Sequence, residues 1–165
     1  MPQLTVDFAA AGRIAKRAEL KSIRLIEITA RCDPKIGAPL EPTVKVECVV
    51  AHQDVNALEI VCDCQFAART TQAQVVEAAV KYLLVYEIQG NEPLAEGDVG
   101  EFATSNGTLH AWPFLREFLY ALTSKMGYPA YVLPTFHFIP RPQEKKEGGE
   151  KADSKPEPPK TPTKD

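Results

Sequence analysis

The sequence predicts an α+β fold: a four-stranded antiparallel sheet followed by one long C-terminal helix. Two observations carry this. Residues 43–50 and 57–69 alternate apolar and polar side chains, the period of a half-buried strand. Residues beyond Pro113 instead repeat apolar side chains at spacings of three and four, the period of a helix packed along one stripe. Strands grouped first and a helix placed last favour an antiparallel sheet over a βαβ arrangement.

Taken in order, residues 9–18 suit a short helix ahead of the sheet. Residues 20–32, LKSIRLIEITARC, form a first strand of weaker alternation, with Ile23 and Leu25 set against Ile26 and Ile28. The stretch 33–42 carries three prolines and is too long for a tight hairpin, so the chain crosses over there. In the second strand Val44, Val46, Cys48 and Val50 oppose Thr43, Lys45 and Glu47; in the third, Leu58, Ile60, Cys62, Cys64 and Phe66 oppose Glu59, Asp63 and Gln65. The polar turn His52–Asn56 joins these two as a hairpin. Residues 79–89 form the fourth strand, with Val80, Tyr82, Leu84, Tyr86 and Ile88 on one face. Its other face mixes Leu83 and Val85 with Lys81 and Glu87, so that face is covered or binds something.

Residues 91–107 are polar and glycine-bearing and read as a connection. Pro113 then opens the helix, where its missing N–H does no harm. Leu115, Phe118, Leu119, Leu122 and Met126 make the stripe, Gly127 stands at C′ and Pro129 prevents continuation. Phe114, Tyr120 and Ala121 lie off the stripe, more apolar surface than one small sheet covers. Self-association through Phe114, Phe118, Leu119 and Leu122 is the expected way to bury it, in a closed oligomer.

Residues 1–140 make one domain. Their 12 basic and 16 acidic residues give −4, whereas residues 141–165 hold 7 basic and 6 acidic residues and five of the 14 prolines. That last stretch has no Val, Ile, Leu, Phe, Tyr or Trp, and a disordered Pro/Lys/Glu-rich tail is expected.

Several function classes are disfavoured. The net charge of −3 over 165 residues argues against a nucleic-acid binder. No apolar run approaches the roughly 20 residues of a membrane span. The opening MPQLTVDFAAAGR lacks a basic region ahead of an apolar core, so no secretory signal is expected. Four cysteines in that setting imply reduced thiols and a cytoplasmic protein. Cys48, His52, Cys62 and Cys64 raise a metal site, but Cys62-x-Cys64 is not knuckle spacing and both occupy apolar strand positions, so inert core thiols are expected. His110 and His137 stand without a nucleophile pattern, and Asn106-Gly107-Thr108 is a glycosylation sequon a cytoplasmic chain never presents for modification. No catalytic residue, metal or cofactor is expected.

The segment Asn106–Phe138 then narrows the reading. Trp112-Pro113-Phe114-Leu115-Arg116-Glu117 leads through the helix to Gly127-Tyr128-Pro129 and exits by Leu133-Pro134-Thr135-Phe136-His137-Phe138. In order and spacing this resembles the signature of the SecB-type protein-export chaperones, and Tyr86-Glu87-Ile88-Gln89 is similar to the end of that family's fourth strand. The resemblance spans residues 20–138. It implies an ATP-independent holdase, a dimer of dimers, that binds unfolded preproteins and hands them to SecA. By position it implies Leu40 as a client contact, although Leu40 replaces an aromatic; Trp112, Phe136 and Phe138 are further candidate client contacts, with a packing staple ahead of the helix as the other reading of Trp112. It implies Glu27, Val85 and Glu87 as a SecA-facing surface. Two departures stand out: Ile139-Pro140-Arg141-Pro142 prevents the family's second helix from starting, and the tail is not acidic. Some SecB-like proteins instead guard an aggregation-prone antitoxin, which is the alternative client. A scaffold oligomer with no client groove is the rival outside the chaperone class.

Overall fold

The computed structural model describes residues 3–33, 41–69 and 74–142. The chain opens with β1 (Gln3–Val6) and helix α1 (Phe8–Ala15). Four long strands follow: β2 (Ala18–Cys32), β3 (Glu41–Gln53), β4 (Ala57–Arg69) and β5 (Gln74–Ile88). Helix α2 (Glu96–Phe102) runs through one π-helical turn, Ala103–Gly107, into helix α3 (Thr108–Lys125), and β6 (His137–Pro140) comes last.

The four long strands form an antiparallel sheet in the order β2-β5-β4-β3. Consecutive β2 and β3 therefore lie at opposite edges, which is why a long crossover separates them in sequence. The crossover residues 34–40, including Leu40, lie outside the described residues, as does the tail 143–165. Alternation behaves as expected in the two central strands. Leu58, Ile60, Cys62, Cys64, Phe66 and Ala68 of β4 point inward and are buried, as are Val80, Leu84, Tyr86 and Ile88 of β5. Full burial of one such large side chain contributes about 1.5–3 kcal/mol, so these two strands anchor the core.

β2 explains its own weak alternation. Its register against β5 slips between Leu20 and Ser22 and again between Leu25 and Glu27. Each slip shifts which side chains face inward, so apolar residues fall on both faces. Leu25, Ile26 and Ile28 are left half exposed at this edge.

Two expectations are corrected. The helix does not open at Pro113: helical backbone begins at Glu96, and Pro113 lies inside α3. The glycines and polar residues of 96–107 weaken intrinsic propensity, but Val99, Phe102 and Ala103 are buried against the core and packing prevails. In the π turn the Ser105 hydroxyl donates to the Glu101 carbonyl at 2.7 Å, satisfying a group that the turn displaces. A Cβ on Gly107 would stand 3.2 Å from Ile60 Cγ2 and 3.4 Å from Cys48 Cβ, so glycine lets the helix approach the sheet closely.

The second correction concerns the thiols. Cys48 and Cys62 are register partners across β3 and β4, and they are joined as a disulfide. Cys32 and Cys64 are free, and burial pushes the Cys64 thiol up to about 12, which keeps it inert.

The end of α3 follows its sequence. Gly127 has φ 79°, and the Tyr128 N–H reaches the Thr123 carbonyl at 3.0 Å, closing the last turn. Beyond it, among the described residues, no second helix follows. β6 runs parallel to β1 instead, with Gln3 to Val6 opposite His137 to Pro140.

Two measurements test this packing. Alkylation of the unfolded, unreduced chain is expected to label two thiols, and four after reduction. Labelling of four without reductant would restore the reduced reading. Joining residues 14 apart, the disulfide is worth about 2–4 kcal/mol, read as the loss in urea unfolding on Cys48→Ser/Cys62→Ser. Leu119→Ala, at a site with 0% exposure, is expected to cost about 2–5 kcal/mol in the same assay.

Candidate functional site

Helix α3 and the segment after it lie side by side across the inner face of the sheet. The helix sets out over one end, where Tyr86 packs on Phe102 and its hydroxyl lies 2.9 Å from His110 Nδ1. It passes Tyr82, whose ring contacts Phe114 at 6.0 Å. At the far end Tyr131 stacks on Phe66 at 5.1 Å, and the Tyr128 hydroxyl donates to the Asp33 carbonyl at 3.0 Å. The chain then turns back along the helix. Leu133 is fully buried, and Trp112 Nε1–H donates to the Pro134 carbonyl at 3.2 Å.

This return path assembles a connected run of aromatic rings. Trp112 packs on Phe136 at 4.8 Å, Phe136 on Phe138 at 4.8 Å, and Phe138 edge-on to Phe8 at 6.1 Å. Exposure rises along the run: Trp112 is buried, Phe136 and Phe138 are half-buried, and Phe8 is 48% exposed. Trp112 therefore supports the surface from beneath and presents little of itself. Phe8 was not singled out by sequence; only its apolar position beside an Asp N-cap hinted at a role. The Asp7 carboxylate accepts from the Ala9 and Ala10 N–H groups, starting α1 there and fixing Phe8 at its first position.

The expected interface residues divide. Phe114 is 44% exposed, and Tyr120 and Leu109 are exposed on other faces of α3. Phe118 and Leu122 are half-buried against the core. Leu119 is corrected: its side chain is enclosed by the chain's own core and offers no surface to a second copy.

On the outer face, Glu27 meets Lys81 at 2.7 Å, and Lys21 bridges Glu87 at 2.7 Å and Glu19 at 2.9 Å. Val85 is half-buried among them. The two acids singled out by sequence are thus paired with lysines of the same sheet. Such exposed pairs add little stability, but they offset part of the local negative field, Lys21 being shared between Glu19 and Glu87. A separate cleft of about 540 Å³ at the end of the sheet, with Arg31, Lys45, Arg69 and Glu77 in its walls, includes none of the residues singled out by sequence.

Among the described residues no group of three or more His, Cys, Asp or Glu side chains is placed to hold a metal ion, and no helix is long and apolar enough to cross a membrane. The Tyr86–His110 pair lies within packed rings, and burial lowers the His110 pKa and raises that of Tyr86.

No protein-family model matches the chain, and no curated protein matches it in sequence. Solved structures do match in fold. The Mycobacterium tuberculosis Rv1957 SecB-like chaperone, in complex with a ChAD peptide from the Rv1956 HigA1 antitoxin, is similar with a TM-score of 0.71 and 22% identity, covering 78% of this chain and 97% of that one. A protein of unknown function from Streptococcus agalactiae is similar with a TM-score of 0.47 and 13% identity, covering 72% of this chain and 97% of that one. The first similarity shows that the fold is SecB-like, as the resemblance implied.

The His110 environment gives a pH prediction. Its folded pKa lies below the ordinary 6.5, so below that pH the unfolded chain binds a proton that the folded chain resists. Stability is therefore full above pH 6.5 and falls as pH drops through it, levelling off below the folded value. His110→Gln keeps an acceptor for Tyr86 and is expected to remove this part of the slope, measured as urea unfolding free energy at successive pH values. An identical slope in the variant would mean that His110 does not titrate in this way.

Proposed function

We propose that this chain is an ATP-independent holdase that captures an extended, aggregation-prone polypeptide on the aromatic run Phe8, Phe138 and Phe136, supported by Trp112. The observation that carries the reading is that connected run, exposed at one end, on a SecB-like fold. Unfolded segments are recognised by broad apolar contact with little side-chain specificity, and clustered partly exposed rings supply it without a covalent step. The reading assigns no reaction and no cofactor to the chain, and it keeps the cytoplasm as the place where nascent chains are met, although the Cys48–Cys62 disulfide removes the reduced-thiol ground for that location.

An antitoxin is the favoured client. The similar Mycobacterium tuberculosis chaperone was solved with an antitoxin peptide, and two features here lean away from preprotein delivery to SecA. β6 occupies the place where a second helix would begin, and Glu27 and Glu87 are already paired with Lys81 and Lys21. Export-competent holding of preproteins is the wider reading of the same surface. The exposed Phe114 and Tyr120 rings on α3 favour assembly into a homotetramer, a dimer of dimers, over a lone chain.

The test is light scattering of a chemically unfolded model protein diluted with and without this chain, in the absence of nucleotide. Aggregation is expected to be suppressed at near one oligomer per client. Phe8→Ser and Phe138→Ser are each expected to weaken capture about tenfold, on the scale of an interface hot spot, while unfolding midpoints move little. Unchanged aggregation at several-fold molar excess, for the model protein and for antitoxin alike, would leave the scaffold reading.

A further inference from the structure

The client surface described above is not open on all sides. β6, which carries Phe138, is already paired along one edge by the chain's own β1. The pairing is parallel and only four residues long, Gln3 to Val6 against His137 to Pro140, and the Arg141 N–H extends it to the Val6 carbonyl at 2.8 Å. In β1 the apolar Leu4 and Val6 flank Thr5; Val6 is fully buried and Leu4 half-buried. A short extended segment of alternating apolar and polar residues, held by backbone hydrogen bonds and by burial of an apolar side chain such as Val6, is what a chaperone meets in an unfolded client.

We infer that β1 is a built-in competitor for the client, and that a client's extended apolar segment takes the place of β1 on β6. This deepens the holdase reading and rests on it. The geometry gives β1 a limited hold. Its backbone is secured to the helical layer by the Asp7 N–H donating to Glu101 Oε2 at 2.9 Å, while the other oxygen of Glu101 pairs with Arg141 at 2.6 Å. Glu101 thus fastens both sides of the ladder at one end. A four-residue strand paired on one side belongs to the part of a fold that opens first. By contrast β6 stays attached through Arg141 and through the stacked rings of Phe138, Phe136 and Trp112 when β1 leaves. Departure of β1 bares a row of backbone donors and acceptors on β6 beside those rings. The favoured client is therefore an extended segment with apolar residues at alternate positions, bound as a strand and not as a helix.

Competition lowers apparent affinity by the fraction of chains in which β1 is detached, so fixing or removing β1 moves binding in opposite directions. The register places Thr5 opposite Ile139, both exposed and neither one of the aromatic rings of the client surface, and the reduced form of the same variant controls for the change at Ile139. A Thr5→Cys/Ile139→Cys variant locks the ladder when oxidised. The probe is a dye-labelled, reduced and carboxymethylated model protein, which stays unfolded, read by fluorescence anisotropy. The oxidised variant is expected to bind at least about tenfold more weakly than the same variant reduced, with wild type in both buffers as control. Removal of residues 1–6 is expected to strengthen binding by about tenfold or more. In wild type, amide exchange at Leu4 and Val6 is expected to speed up on adding the probe. Wild type that binds while the locked form binds equally well, with exchange at Leu4 and Val6 unchanged, overturns this inference and leaves the holdase reading standing. Failure of wild type and the truncated chain alike to bind overturns both.

Discussion

One mismatch of dimensions governs this fold. A sheet of four strands spaced about 4.8 Å apart presents an inner face close to 20 Å wide, whereas a single helix covers a strip of about 10 Å. α3 alone leaves the inner face of β4 and β5 partly wet. The chain resolves this by doubling back: Tyr131, Leu133 and Phe136 lie beside the helix and close the rest of the core. Gly127 and Pro129 are where the reversal is made, and the indole of Trp112 pins the returning strand to the helix through the Pro134 carbonyl. Because the returning segment is extended and not helical, its inward side chains fill the core while its outward ones remain at the surface. An aromatic surface next to the core is thus a consequence of covering a wide sheet with too little helix.

The same constraint accounts for the N-terminal elements. β1 and α1 pack against α2 and β6 instead of joining the main sheet. Arg13 forms a two-point contact with Asp98 at 2.6 Å, and Asp7 caps α1. These pieces complete the cover at the end where α2 turns into α3. They also bring Phe8 beside Phe138, linking residues 130 positions apart in sequence through a single ring contact.

What was legible in the sequence follows from what each signal measures. β4 and β5 were readable because one face is buried and the other is not, so Leu58 through Ala68 alternate without interruption, whereas edge strand β3 alternates in sequence but buries only Cys48, with Val44 and Val46 half-buried. β2 blurred because its two register slips rotate the pattern partway along. α2 was missed because Gly97, Gly100 and Gly107 argue against helix locally, and only the burial of Val99 and Phe102 overrides them. The disulfide was missed because cross-strand register, not spacing, decides which cysteines meet: Cys62-x-Cys64 looked like the pair of interest, yet Cys48 is the register partner of Cys62. β1 and β6, four residues each, are too short for any periodicity to declare them. Of the rings in the aromatic run, Phe136 and Phe138 were named from the Leu-Pro-x-Phe-x-Phe exit, while Phe8 lay 130 residues away with no pattern connecting it.

The outer face carries a second consequence of a sheet that is covered on one side only. Solvent there selects charge, and the strand register selects partners: Glu27 stands opposite Lys81, and Glu19 opposite Glu87 with Lys21 reaching between them. Each cross-strand pair relieves a repulsion or a lone charge that an open sheet face would otherwise hold. The pairing is incomplete, since Lys21 serves both Glu19 and Glu87, so the face keeps part of its negative charge while the pairs tie each lysine to its own sheet. On the proposed reading, recognition falls to shape, backbone edges and aromatic rings at the α1–β6 end.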